Sequence, residues 1–220
     1  MRLWEHRVED VIADLGSEDR VILVPLAPFI FAASEAAARR SLEKLAAPPR
    51  LYCVDPWGLE PPLIEAWTRD IRALDDGDDA SARAVILSAH SLPRVIIDRG
   101  DDYARSFEAT ASAVERALGR PCRVAYQSQG AQDGEWLGPT LLETFRSVRD
   151  EGAREVLVAP IGFLADHIET LYDLDVEAKN QAAELGLGFR RAPALNLDAG
   201  LVDTLSLLVR RVLERVNEAN

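Results

Sequence analysis

The sequence is 220 residues long, 48% hydrophobic and 28% charged, with a formal net charge of −12. A chain of this length can bury a substantial core, and its composition is that of an ordinary globular protein. The acidic balance argues against a nucleic-acid partner, because phosphate binding needs clustered Lys and Arg, and against a polybasic membrane anchor.

The opening stretch MRLWEHRVEDVIADLG mixes charged and apolar residues and contains no apolar core of a secretory leader. The most apolar run, Val21 to Ala33, is interrupted by Pro25 and Pro28 and is too short for an integral membrane segment. The two cysteines, Cys53 and Cys122, sit in or beside strand-like runs and read as reduced, buried thiols rather than a disulfide. Two thiols are also too few to ligate an iron–sulfur cluster. These features together predict a cytoplasmic protein.

Along the chain, short apolar runs alternate with longer amphipathic ones. Helical periodicity covers Trp4–Leu15, then a strand is expected at Val21–Ala27 and a helix at Ala33–Leu45. A strand at Arg50–Val54 and a helix at Pro61–Leu74 follow. Next come a strand at Ala84–Ala89, a helix at Tyr103–Leu118, a strand at Arg123–Gln127 and a helix at Pro139–Asp150. The last group is a strand at Glu155–Pro160, a helix at Asp166–Leu185, a weaker strand at Gly188–Pro193 and a helix at Ala199–Val216. Strands apolar on both faces, each followed by a helix, predict an α/β fold of parallel sheets flanked by helices. The acidic run Asp75–Ser81 is the best linker. It suggests domains at 1–78 and 79–197 followed by a C-terminal helix, 198–220, that packs back on them. The first domain has only two strand signals, so it is incomplete as a doubly wound sheet.

In such folds ligands gather where strands end in loops, and three segments there carry chemistry. The first is SAHSLP, Ser88–Pro93, whose His90 can take a proton or offer nitrogen to a metal, or can simply be a hydrogen-bonded loop histidine. The second is YQSQGAQDGEWLGPT, Tyr126–Thr140, with neutral polar groups at Gln127, Ser128 and Gln129 and an indole at Trp136. Trp136 can equally be packing over the core. The third is GFLADHIETLYDLDVE, Gly162–Glu177, in which Glu169, Asp173 and Glu177 recur every fourth residue and so form one row on a helix. Like charges at that spacing repel by a few tenths of a kcal/mol per pair, and no Lys or Arg in the segment relieves them. The row is either a solvated face or a ladder of hard oxygen ligands for a divalent cation. His167 lies on another face and suits a structural hydrogen bond, while Asp166 suits an N-cap or first-turn acid. A P-loop, GxGxxG, CxxC pair, HExxH and GxSxG elbow are all absent from the sequence.

SAHSLP, then YQSxG…WLGP, then PxGFxADHxExLYDxDxE, in this order and at these separations, resembles the ferrochelatase family, and its bacterial, coproporphyrin-using branch most. Gly100–Tyr103, GDDY, is similar to the family's GDPY, with Asp102 in place of proline. The resemblance implies two chelatase-like, Rossmann-like or flavodoxin-like domains and an enzyme, a lyase, that inserts Fe2+ into coproporphyrin III or protoporphyrin IX in haem biosynthesis. No cofactor is implied, the iron being substrate. On the same basis His90 and Glu169 are the catalytic pair, and His90, Glu169, Asp173 and Glu177 handle the metal. Ser88, Ser91, Leu92, Pro93, Tyr126, Gln127, Ser128 and Trp136 are expected to line the porphyrin. Family members are commonly longer at the N-terminus, and their polar run in the first domain is replaced here by Phe29-Ile30-Phe31. A homodimer or a partner chain completing the porphyrin cleft is therefore expected. The alternatives are a non-catalytic paralogue that binds porphyrin, haem or metal, and a chelatase for another tetrapyrrole such as sirohydrochlorin.

Overall fold

The computed structural model describes residues 10–11, 15–17, 19–29, 32–76, 82–130 and 133–218. The chain divides into two compact units, Met1–Trp57 with Leu205–Asn220, and Gly58–Thr204. Most of the helix expected at Trp4–Leu15 and most of the acidic run Asp75–Ser81 lie outside the described residues.

The first unit holds two parallel strands, β1 (Arg20–Leu23) and β2 (Arg50–Cys53), paired from Arg20↔Arg50 to Leu23↔Cys53. Helix α1 (Ala32–Leu42) connects them. β1 ends ahead of Pro25, earlier than expected, because proline has no N–H to give to a ladder. The Trp57 side chain is fully buried, and its indole N–H donates to the Pro25 carbonyl at 3.2 Å.

The second unit is built on a four-stranded parallel sheet in the order β4-β3-β5-β6. Its strands are β3 (Arg83–His90), β4 (Cys122–Gln127), β5 (Glu155–Ala159) and β6 (Gly188–Arg191). The connecting helices are α2 (Pro61–Leu74), α3 (Arg94–Asp98), α4 (Tyr103–Leu118) and α5 (Leu141–Asp150). Beyond β5 one long helical stretch has three parts: α6 (Ile168–Leu171), a π-helical segment (Tyr172–Ala178) and α7 (Lys179–Glu184). Helix α8 (Ala199–Glu218) closes the chain. The short α3 and the π-helical winding are additions to the elements expected from periodicity. A five-residue helix offers too few positions for a hydrophobic period, and a wider winding leaves the same apolar spacing.

Side chains of a strand alternate between faces, and this fixes what reaches the site. On one face Ile86, Ala125, Val156 and Val158 form a core with Leu141, Phe145 and Val148 of α5 and with Leu174, Ala178 and Ala182 of the long helical stretch. Helices α2 and α4 pack on one another and on the sheet, burying Leu63, Trp67, Ile71, Phe107 and Val114. At the amino-terminal edge, Arg83 is nearly inaccessible and pairs with Glu155 at 2.5 Å and Asp75 at 3.1 Å. Asp75 also accepts from Arg120, so a buried guanidinium is matched by carboxylates rather than left uncompensated.

Helix α5 starts with a full capping box: Thr140 Oγ1 accepts from the Glu143 N–H at 3.2 Å and the Glu143 carboxylate accepts from the Thr140 N–H at 2.7 Å. The sequence places Pro139 as its first residue, and the structure makes Thr140 the cap instead. Thr140→Ala is expected to lower stability by about 1 kcal/mol, read as a fall in the urea midpoint with an unchanged slope.

Candidate active site

The alternation along β3 puts Ile86, Ser88 and His90 on one face, and Ile86 belongs to the core beneath Leu174 and Ala178. His90 therefore leaves the carboxyl end of the sheet on the side covered by the long helical stretch. Thr170, Leu174, Ala178 and Ala182 of that stretch are fully buried, every fourth residue, and anchor it. Glu169, Asp173, Glu177 and Gln181 each precede one of these anchors, so the acid row runs along the rim of the buried stripe. Glu169 and Glu177 are exposed and Asp173 is half-buried. In an α-helix four residues overshoot a full turn by about 40°. In the π-helical part, with more residues per turn, four fall short of one. The two drifts oppose each other and keep the acids in line.

The loop leaving β5 connects His90 to this row. Gly162 donates its N–H to the Ser88 carbonyl at 3.0 Å. A Cβ on Gly162 would lie 2.5 Å from the Ala89 Cβ and 2.6 Å from its Cα, so only glycine permits the approach. Phe163 then stands edge-on to His90 with ring centroids 6.3 Å apart, and 5.8 Å from the His167 ring. His167 is the N-cap of α6, its ring hydrogen-bonded to Thr170 Oγ1 at 2.8 Å, which is the structural role expected for it. Asp166 is not the cap. It lies one residue earlier and pairs with Arg191 at 3.0 Å.

Burial holds the His90 imidazole below its ordinary range, while the carboxylates of Glu169 and Asp173 pull it back up and His167 opposes them. Burial thus favours the uncharged imidazole, which can accept a proton, and the two acids act against that preference. Its backbone carbonyl accepts from the Tyr103 hydroxyl at 2.8 Å, which fixes the strand end.

The strand-end residues divide into two groups. Ser88 and Ser91 are fully buried, their hydroxyls donating to Gln127 Oε1 at 2.7 Å and to the Leu137 carbonyl at 2.8 Å. Tyr126 is buried, edge-on to Phe107 at 5.4 Å, with its hydroxyl 3.4 Å from Glu108. These three side chains hold the scaffold. Leu92 and Pro93 are half-buried, and Pro93 bridges to Trp136, whose ring covers Gly130. Ser128, in the left-handed region at φ +59°, hydrogen-bonds Asp173. Beside it opens a pocket of about 340 Å³ lined among others by Gln127, Ser128, Gln129, Thr140, Asp173 and Glu177. Gln127 is buried, and its Nε2 is without a hydrogen-bond partner among the described residues. A buried donor of that kind calls for an acceptor in the pocket. Among the described residues no three His, Cys, Asp or Glu side chains converge closely enough to hold a metal ion. The acids are strung along a helix instead. Nothing local in the sequence signals the role of Arg191, one of two adjacent arginines on a weak strand, or the close approach made by Gly162 within its motif.

The comparisons decide the family. A family model described as ferrochelatase matches residues 1–213. The chain belongs to the ferrochelatase family. It is 34% identical to a ferrochelatase of Thermus thermophilus over 96% of this chain and 69% of that protein. It is 35% identical to a coproporphyrin III ferrochelatase of Geobacillus thermodenitrificans over the same shares. Family membership makes the chain a metal chelatase, an enzyme of the lyase class. SirB from Bacillus subtilis, solved with Fe3+, superposes with a TM-score of 0.67 over 96% of this chain and 79% of that one. At 13% identity that likeness shows the shared α/β fold alone. Among the described residues no helix is long and apolar enough to cross a membrane.

Gly162→Ala should cost about 1–3 kcal/mol of stability, measured by chemical denaturation, since the added methyl meets backbone. In the metal-free protein, an NMR titration of His90 should give a midpoint below 6.5. Glu169→Gln removes a charge that favours the imidazolium, so it should lower that midpoint further; a rise would contradict the placement of the two groups.

Proposed function

We propose that this chain inserts Fe2+ into a porphyrin, coproporphyrin III or protoporphyrin IX, as the ferrochelatase step of haem biosynthesis. The observation that supports it best is the emergence of His90 on the sheet face covered by the Glu169–Asp173–Glu177 helix, where burial disfavours its charged form and two of those acids act on it.

Metal insertion requires two pyrrole N–H protons to leave, hydration water to be stripped from Fe2+, and the macrocycle to bend so that its nitrogen lone pairs become accessible. A neutral imidazole suits the first task as proton acceptor. A row of carboxylates suits the second, since hard oxygen ligands replace water stepwise as the cation moves from Glu177 to Asp173 to Glu169. Open spacing along the helix favours passage over retention, and the Ser128 hydroxyl steadies Asp173, the middle acid of the row. Bending of the ring draws on binding energy elsewhere on the porphyrin. Leu92, Pro93 and Trp136 are the residues proposed to touch it, with Ser88, Ser91 and Tyr126 keeping the strand ends in place. Two free thiols agree with a cytoplasmic site of action.

The test is an anaerobic absorbance assay with purified protein, Fe2+ and each porphyrin in turn. Metalloporphyrin should form, and His90→Ala should slow its formation about 10²–10⁴-fold while porphyrin still binds. Tight porphyrin binding by the wild-type protein with no metal insertion would replace this reading with a carrier.

A further inference from the structure

Positions 166 to 177, which carry the acid row, hold five carboxylates and neither Lys nor Arg. One cation comes from outside. Arg191, at the end of β6, reaches both Asp166 and Asp175 and leaves the row itself untouched. Its Nη1 is 3.0 Å from Asp166 Oδ1, and its Nε and Nη2 donate to the two oxygens of Asp175 at 2.6 and 3.1 Å. The arginine side chain is only 17% exposed. Asp166 is gripped from a second side by Asn196, whose Oδ1 accepts the Asp166 N–H at 2.9 Å and whose Nδ2 donates to Asp166 Oδ2 at 2.9 Å. Asn196 is itself in the left-handed region at φ +53° and donates its own N–H to the Leu164 carbonyl at 2.7 Å.

We propose that Arg191 is a positioning residue for metal insertion: by tying Asp166 and Asp175 to the edge of the sheet, it fixes the winding of the π-helical segment and the placement of Glu169 and Asp173 opposite His90. The two tied acids bracket Glu169 and Asp173 in the chain, one just before α6 and the other inside the π-helical segment. A planar guanidinium engages one carboxylate with two parallel bonds and still reaches a second, which an ammonium on a flexible stem cannot do as rigidly. The partition of charge also matters. The clamp shares one positive charge between two of the five carboxylates, and Glu169, Asp173 and Glu177 remain for a cation. The neighbouring Arg190 points to the other face of β6, pairing with Glu155 and Asp76 at 2.9 Å each, and provides an internal control.

The role in metal insertion rests on the function proposed above; the clamp itself does not. The test compares Arg191→Leu with Arg190→Leu by amide hydrogen exchange and by steady-state kinetics with Zn2+ and a porphyrin. Arg191→Leu should speed exchange across residues 166–178 about tenfold and leave the remainder of the sheet as in the wild type. It should also raise the KM for Zn2+. Removing a positive charge would by itself attract the cation and lower that KM, so a rise reads out lost geometry rather than altered field. Arg191→Lys should fall between, and Arg190→Leu should change neither exchange over 166–178 nor the metal KM. If Arg191→Leu does not fold, Asp175→Asn opens half of the clamp and should loosen 172–178. Unchanged exchange over 166–178, loosening spread evenly over the unit, or an unchanged or lowered metal KM overturns the proposal. Exchange needs no turnover, so it decides the clamp even where no chelatase activity is found.

Discussion

The contact on which the site depends is the approach of Gly162 to the end of β3, where backbone meets backbone with no side chain between them. That contact brings the loop leaving β5 directly against Ser88 and Ala89, two residues and one residue before His90. From there Phe163 packs edge-on to the imidazole, His167 caps α6, and the first acid of the row follows two residues later. Parallel pairing of β3 with β4 and β5 sets the height at which each loop leaves the sheet, so the three strand-end segments meet at one edge. The chemistry is separated in sequence and assembled by register.

Charge is distributed with a division of labour. At the amino-terminal edge of the sheet, buried Arg83 meets Asp75 and Glu155, and the acids are spent on structure. At the carboxyl-terminal edge, Arg191 takes Asp166 and Asp175 and does not pair with Asp173 and Glu177, which line the pocket. Uncompensated carboxylates on one helix face are unfavourable for folding. Their persistence here fits a site that works on a dehydrating cation, and the buried stripe of Thr170, Leu174, Ala178 and Ala182 supplies the packing that holds them against their repulsion.

Much of this was legible in the sequence. The parallel α/β class follows from apolar runs alternating with amphipathic ones, and His90 and the four-residue acid spacing stand out at strand ends. What the sequence does not display is anything that depends on which face meets which. The hydroxyls of Ser88 and Ser91 and the ring of Tyr126 look like ligand groups in a motif but are consumed by Gln127, Leu137 and Phe107 once the strands pair. The π-helical winding is invisible because its apolar and acidic spacings read as α-helix. Arg191 is hidden for a simpler reason: its partners lie 16 and 25 residues away, and no local pattern links them.

The central claim is that the imidazole of His90 and the carboxylate of Glu169 address one tetrapyrrole. Diffraction from crystals containing a porphyrin and Zn2+, with the metal located by its anomalous signal, tests it most directly. The macrocycle should lie between the two side chains, with the metal on the path from Glu177 to Glu169. A ring bound away from His90, or with both groups on the same side of its plane, would contradict the account.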